Sequence, residues 1–142
     1  MWVSFKEMPI PLKFITGHAI ACIFLLLGSV IPHDSFSMYG QPVSYAVWWS
    51  SGAGLYASFL GAIMPVSAYL MLMRFNRARI TYLVALSIAI VAPYLYWGQL
   101  QYAAIDMVVV GLFGWYLYGA KSVQRYFTSN PPFKRDALKR AP

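Results

Sequence analysis

Asp106 is the first residue to consider for chemistry, because it is an acidic side chain inside a long apolar segment. In a membrane, burying an ionised carboxylate costs about 2.5–3.5 kcal/mol, so such residues usually face protein or water and mark ion or substrate paths. The apolar segment starts about three residues earlier, which places Asp106 only ~4.5 Å from the segment's outer end. This shallow position favours a structural, hydrogen-bonded role, while a functional role stays open.

His18 is the second candidate and also lies within an apolar run. A neutral imidazole bonded to a neighbouring helix is the favoured interpretation, ahead of a proton relay or a haem ligand. His18 and His33 cannot share a haem within one chain, because helical rise separates them by about 20 Å. A haem between the His18 residues of two subunits has no support in the sequence, and we predict no cofactor.

Five polar residues are predicted to share the outer end of the molecule: His33, Asp34, Gln99, Gln101 and Asp106. Imidazole, carboxylate and amide groups together could bind a cation, a proton or a small polar ligand. No two of them have a metal-ligand spacing such as i, i+4 on one helix, so we predict no metal site. The same residues leave open an enzyme working at the outer face, which we consider the least favoured function.

Recognisable catalytic motifs are missing. The sequence contains no H-E-x-x-H, G-x-S-x-G or Walker loop, and its four acidic residues include no helical pair that could act as acid and base. Its single cysteine, Cys22, excludes an internal disulfide and C-x-x-C redox chemistry. The sequence therefore favours a protein that is not an enzyme.

The elements that must position these residues are membrane helices. Of the 142 residues, 60% are hydrophobic and only 11% are charged, whereas soluble domains carry about 25% charged residues. Apolar runs of about 20 residues predict four spans, at about 12–31, 51–73, 80–97 and 103–120. We predict an all-α, polytopic membrane protein: an antiparallel four-helix transmembrane bundle of two helical hairpins, forming one domain over residues 1–142.

The distribution of basic residues predicts the orientation. Three arginines, Arg74, Arg77 and Arg79, lie in the short loop between the second and third spans. Placing this loop and both termini inside puts all eleven Lys and Arg residues on the cytoplasmic side, including the basic tail 121–142. Because the basic residues flank apolar runs, the net charge of +7 indicates contact with anionic lipid headgroups rather than nucleic acid. The brevity of the chain and the lack of a cleavable leader suggest a bacterial inner membrane.

Small residues recur at helical spacing on the second and third spans, where they let helix backbones approach closely. They are Gly54, Ser58, Gly61, Pro65 and Ala68 on the second span, and Ala85, Ala89 and Ala92 on the third. We expect these two spans to pack most closely. On the first span, His18, Cys22, Leu25 and Ser29 share a stripe that we expect to face protein.

The loop before the second span, residues 32–48, allows two structures. Ser44 could cap a short interfacial helix, or the chain could form a small hairpin turning at residues 39–42. The sequence does not choose between them.

Packing features are plentiful and polar groups within the spans are few. The leading functional hypothesis is therefore a small, non-enzymatic accessory or structural subunit, or a homo-oligomer, that associates through helix packing. The alternative is a component of a small transporter or channel, with Asp106 and His18 on a polar path.

Overall fold

The computed structural model describes residues 2–38 and 40–129, so the predicted basic tail is described only up to Ser129. The described chain is mostly helical. Its elements, in order, are α1 (Trp2–Glu7), α2 (Ile10–Ala21), α3 (Ile23–Val30), β1 (Ser37–Met38), β2 (Gln41–Pro42), α4 (Tyr45–Ser50), α5 (Ala53–Leu72), α6 (Ala78–Tyr96), α7 (Leu100–Gly119) and α8 (Lys121–Thr128).

Four helices have the length and apolar composition needed to cross a membrane: Ile10–Val30, Ala53–Leu72, Ala78–Tyr96 and Leu100–Gly119. They correspond to the four predicted spans, with ends displaced by up to three residues. This confirms the prediction of four apolar helices and indicates a multi-pass membrane protein. The first of them combines α2 and α3, which meet at an irregular turn at Cys22.

The helices α5 and α6 end in the same way. In each helix, the backbone amide two residues after the C-cap donates a hydrogen bond to a carbonyl of the last turn. The Phe75 amide donates to the Leu70 carbonyl at 3.0 Å, and the Gln99 amide donates to the Tyr94 carbonyl at 2.8 Å. This ending requires a left-handed residue just after the cap. Gly98 supplies it after α6 with φ 69°, whereas Arg74 supplies it after α5 with φ 61°.

The loop before α5 forms both of the structures that the sequence left open. Ser37–Met38 pairs antiparallel with Gln41–Pro42, and Gly40 adopts φ 76° in the turn. The short helix α4 follows, and the Ser44 side chain accepts a hydrogen bond from the Val47 amide at 3.3 Å. The two interpretations were compatible because the hairpin and the capped helix use different residues.

The closest approach between spans is not the predicted one. A β-carbon at Gly61 of α5 would lie 2.9 Å from Cα of Leu26 on α3, so these two backbones are nearly in contact. Further along the same pair, the Ser29 hydroxyl donates to the Gly54 carbonyl at 2.9 Å. The prediction that the second and third spans pack most closely is therefore wrong, because the small residues of α5 turn toward the first span.

The helix α5 is also hydrogen-bonded to α6, at a carbonyl that a proline leaves without its helical donor. Pro93 lacks an amide hydrogen, which leaves the carbonyl of Ala89 without its usual helical donor. The Tyr56 hydroxyl of α5 lies 2.7 Å from the Ile88 carbonyl and 3.1 Å from that of Ala89. This contact between helices satisfies the carbonyl that Pro93 leaves open.

We call the end of the molecule where α1, the loop 73–77 and α8 meet the basic end. Residues of all three segments are in contact there: Arg74 in the loop contacts Glu7 of α1 and Tyr126 of α8. The opposite end, which carries the hairpin, α4 and the turn at Gly98, we call the aromatic end. Met38 and Trp97 line one cleft at that end.

Candidate functional site

A lateral groove lies between the first and last membrane-length helices. It encloses about 700 Å³, with α2 and α7 as its walls and α6 as its floor. Its lining residues are Ile10, Pro11, Phe14, Ile15 and His18 from α2, Tyr82, Leu86 and Ile90 from α6, and Val109, Leu112, Phe113 and Tyr116 from α7. We call this surface the lateral groove.

The lateral groove exists because the helices pack in chain order. The floor residues Tyr82 and Leu86 are buried in the core, while Phe14 on one wall and Leu112 on the other remain mostly exposed. Of the described residues in α7, only Ala103 and Leu117 are buried. An apolar surface of this length, spanning about 12 Å of helical rise on α2, suits an apolar occupant such as another helix or a lipid chain.

His18 is the polar residue of the α2 wall. Its imidazole is exposed, and its Nε2 lies 4.0 Å from the Cys22 sulfur one turn away. The expected hydrogen bond to a neighbouring helix is not made within the described residues. The expected protein-facing stripe is also wrong in part: Ser29 is buried, but His18 and Leu25 are exposed. The buried residues of α2 are instead Leu12, Ile15, Thr16 and Ala19, so its packed face is turned away from His18.

Asp106 is half-buried on α7, one turn from the groove residue Val109. Among residues 2–38 and 40–129, none forms a hydrogen bond or ion pair with its carboxylate. The structure thus places both candidate residues beside the lateral groove, His18 on its α2 wall and Asp106 beyond its α7 wall. No contact joins the two.

Among the described residues, no hydrogen bond or ion pair joins the members of the predicted outer cluster to one another. His33 has a local role, because its Nδ1 accepts from the Ser35 amide at 3.1 Å while its Nε2 lies 2.9 Å from the Gly28 carbonyl. An accepting Nδ1 places the proton of a neutral ring on Nε2, which then donates to Gly28. His33 therefore caps the end of α3, and its ring stacks on Phe36 with centroids 4.0 Å apart.

Within residues 2–38 and 40–129, the side chains of the other predicted cluster members form no comparable hydrogen bonds. Asp34 and Gln101 are exposed, and Gln99 precedes α7 without a capping side-chain hydrogen bond. Within the part of the chain that the structure describes, no group of three His, Cys, Asp or Glu side chains could hold a metal ion.

The basic end contains a buried polar cluster that the sequence did not predict. Arg74 donates to the Glu7 carboxylate and to the Ser129 hydroxyl, and its guanidinium lies 4.7 Å from the centre of the Tyr126 ring. Arg74 is only 6% exposed. One arginine thus joins α1, the loop 73–77 and α8. A sequence signal existed, since Glu7 is one of only two acidic residues predicted to lie on the strongly basic side.

Arg79 is the second buried cation at this end. It donates to the Leu117 carbonyl at 3.1 Å, and its guanidinium lies over the rings of Tyr118 and Phe127 at 4.7 Å and 4.9 Å. Cation–π contacts of this kind stabilise a desolvated guanidinium. Two of the three arginines of the basic loop are therefore buried and in contact with other segments, whereas Arg77 is exposed.

Tyr126 completes the cluster. Its hydroxyl donates to the Met71 carbonyl at 3.0 Å, which ties α8 to the end of α5. Burial raises the pKa of Tyr126 to about 12, although the nearby Arg74 guanidinium acts in the opposite direction. The phenol therefore stays protonated, as a hydrogen-bond donor must, over the whole physiological pH range.

The helices and the site define the class as a small, mostly helical protein with four membrane-length apolar segments and an apolar lateral groove. Comparisons with protein-family models, with curated proteins and with solved structures gave no match to this chain.

Proposed function

We propose that this protein is a non-enzymatic subunit that acts by association, with a transmembrane helix of a second copy or of another membrane protein filling the lateral groove. The observation that carries the proposal is the sparse packing of α7, which buries only Ala103 and Leu117 among its described residues. Leu112 and Phe113 of this helix line the groove and offer a partner helix an apolar surface.

The surface in this proposal differs from the one that the sequence suggested. The small residues of α5 are engaged within the chain: Gly54, Gly61 and Ala68 are buried, and Ser58 and Pro65 are half-buried. On α6, Ala85 is buried, and Ala89 and Ala92 are half-buried. Because Gly61 already lies against Leu26, the proposed association uses the lateral groove and α7 rather than this stripe.

The proposal includes an orientation. The four helices form an antiparallel bundle with both termini and the loop 74–79 in the cytoplasm, and the membrane is a bacterial inner membrane. The grouping of Glu7, Arg74 and Ser129 at one end of the molecule supports this orientation, because cationic loops are retained on the cytoplasmic side.

A matched pair of tryptophan variants tests the association. Leu112 on the groove wall and Val84 on the opposite side of α6 are both exposed apolar residues, at 60% and 52%. We expect Leu112→Trp to break the complex or oligomer that the wild-type chain forms in mild detergent, and Val84→Trp to preserve it. Light scattering coupled to size exclusion gives the mass. A wild-type chain that is monomeric and has no partner would contradict the proposal.

A second candidate function is a component of a small transporter or channel. It is favoured by the exposed imidazole of His18 and by the half-buried carboxylate of Asp106, which has no hydrogen-bond partner among the described residues. The helical prolines Pro65 and Pro93 would permit bending. Under this candidate, Asp106→Asn and His18→Ala abolish ion flux in proteoliposomes, whereas association alone predicts no flux in the wild-type chain.

A further inference from the structure

A second concave site lies at the basic end, separate from the lateral groove. It encloses about 240 Å³ and is lined by polar side chains of α1, the loop 73–77 and α8: Glu7, Arg74, Ser122, Arg125, Tyr126 and Ser129. We call it the basic-end pocket. Unlike the lateral groove, it has a mainly polar and charged lining, and so it suits a different kind of ligand.

The back of the basic-end pocket is the buried Arg74. The side chain of Arg74 is 2% exposed, and its terminal nitrogens donate to Glu7 and Ser129. Its Nε is also buried but has no acceptor among the described residues. A buried guanidinium is costly unless it is well paired, and an oxyanion in the pocket would add a second counter-charge beside this arginine.

The front of the pocket is the polar face of α8. Val123, Tyr126 and Phe127 bury one side of this helix, which leaves Ser122 and Arg125 exposed on the other. In the part of the chain that the structure describes, neither the Ser122 hydroxyl nor the Arg125 guanidinium has a hydrogen-bond partner. These two groups, three residues apart on one helix face, are available to a ligand.

The charged residues that line the pocket indicate which kind of ligand it can bind. Among the described lining residues, two guanidinium groups and one carboxylate, those of Arg74, Arg125 and Glu7, sum to a net charge of +1. Arginine and serine side chains together are well suited to phosphate, because a guanidinium donates two parallel hydrogen bonds to its oxygens. A phosphodiester, which carries one negative charge, matches this pocket in sign and magnitude.

We infer that the basic-end pocket binds the phosphate group of an anionic phospholipid. The α8 helix begins two residues after the membrane-length α7 ends, so its polar face lies at the depth where headgroups are found. A free phosphate ion offers the same chemistry and is distinguished by the experiment. This site does not depend on the lateral groove or on the proposed association.

The experiment measures lipid binding to the full chain in mild detergent by native mass spectrometry. We expect one phosphatidylglycerol to bind more tightly than phosphatidylcholine, and Arg125→Gln to weaken phosphatidylglycerol binding about tenfold, as for the loss of a charge-assisted contact. Arg77→Gln is the matched control, because Arg77 is an exposed arginine at the same end that does not line the pocket. Its effect should stay within about twofold.

The result that overturns the inference is an equal loss in the two arginine variants, which would show that surface charge alone attracts the lipid. The absence of any phosphatidylglycerol preference in the wild-type chain would overturn it as well. If inorganic phosphate displaces the lipid and itself binds in an Arg125-dependent way, the phosphate chemistry stands and the phospholipid source is wrong. Circular dichroism of both variants shows whether the helices are retained.

Discussion

At the scale of single residues, Arg74 links three segments of the described structure. It adopts a left-handed conformation with φ 61°, which costs a residue other than glycine roughly 1–2 kcal/mol. The cost is offset because this conformation directs the guanidinium into contacts with Glu7, Ser129 and Tyr126. Glycine, which is preferred at such positions, would relieve the backbone but remove the link between three segments.

The ion pair of Arg74 leads to a prediction about Glu7. Replacing Glu7 by glutamine leaves the buried guanidinium without its counter-charge, and because Glu7 is partly exposed we expect a loss of about 1–3 kcal/mol, below the full effect for a buried pair. This corresponds to a fall of roughly 3–8 °C in melting temperature. Differential scanning fluorimetry of the detergent-solubilised chain measures it.

Asp34→Asn provides the control for Glu7→Gln, since it makes the same chemical change at an exposed carboxylate of the aromatic end. We expect its melting temperature to match that of the wild-type chain. If Glu7→Gln is equally neutral, the contact between Glu7 and Arg74 does not hold α1 in place.

At the scale of elements, the contact between α3 and α5 determines how the first half of the chain packs. In lipid, helices gain little from burying apolar side chains, so close backbone contact and hydrogen bonds drive their association. Gly61 provides the close contact with Leu26. The hydrogen bonds run from the Trp48 indole to the Ser29 hydroxyl at 3.0 Å, and from Ser29 to the Gly54 carbonyl at 2.9 Å.

This contact predicts opposite outcomes for two glycines in membrane-length helices. Gly61→Ala places a methyl group against the backbone of Leu26, so we expect it to destabilise the fold by about 1–3 kcal/mol. Gly111→Ala meets nothing within 4 Å and should be neutral or stabilising by up to about 1 kcal/mol through helix propensity. Unfolding of the purified chain by increasing SDS in mixed micelles compares the two. Equal effects would show that α3 and α5 are further apart than described.

At the scale of the whole molecule, the basic end joins three segments that are far apart in sequence. Arg74, Arg79 and Tyr126 hold α8 against the ends of α5 and α7 through contacts with Met71 and Leu117. The aromatic end is held differently, by ring contacts and by His33 and Tyr45 donating to the last carbonyls of α3. One end thus depends on buried charge and the other on aromatic packing.

This asymmetry bears on the predicted orientation, which labelling can test. We expect a cysteine at Asn76, in a Cys22→Ser background, to react with a membrane-impermeant maleimide only after the cells are opened. A cysteine at Ser35, in the aromatic end, should react in intact cells. Both positions are exposed. The reverse pattern would place the basic loop outside and contradict the orientation.

Composition and hydropathy were sufficient to predict four apolar helices with ends within three residues of those observed, because a membrane-length run of apolar residues can form little else. Local signals also suggested the Ser44 cap and the hairpin, but only as alternatives, and the structure contains both. Only the tertiary structure decided which faces meet: that Gly61 lies against Leu26, that Arg74 pairs with Glu7, and that His18 is left on a groove. Such pairings depend on helix rotation and close backbone approach between distant segments, and in a chain that is apolar on all sides hydrophobic periodicity does not specify them.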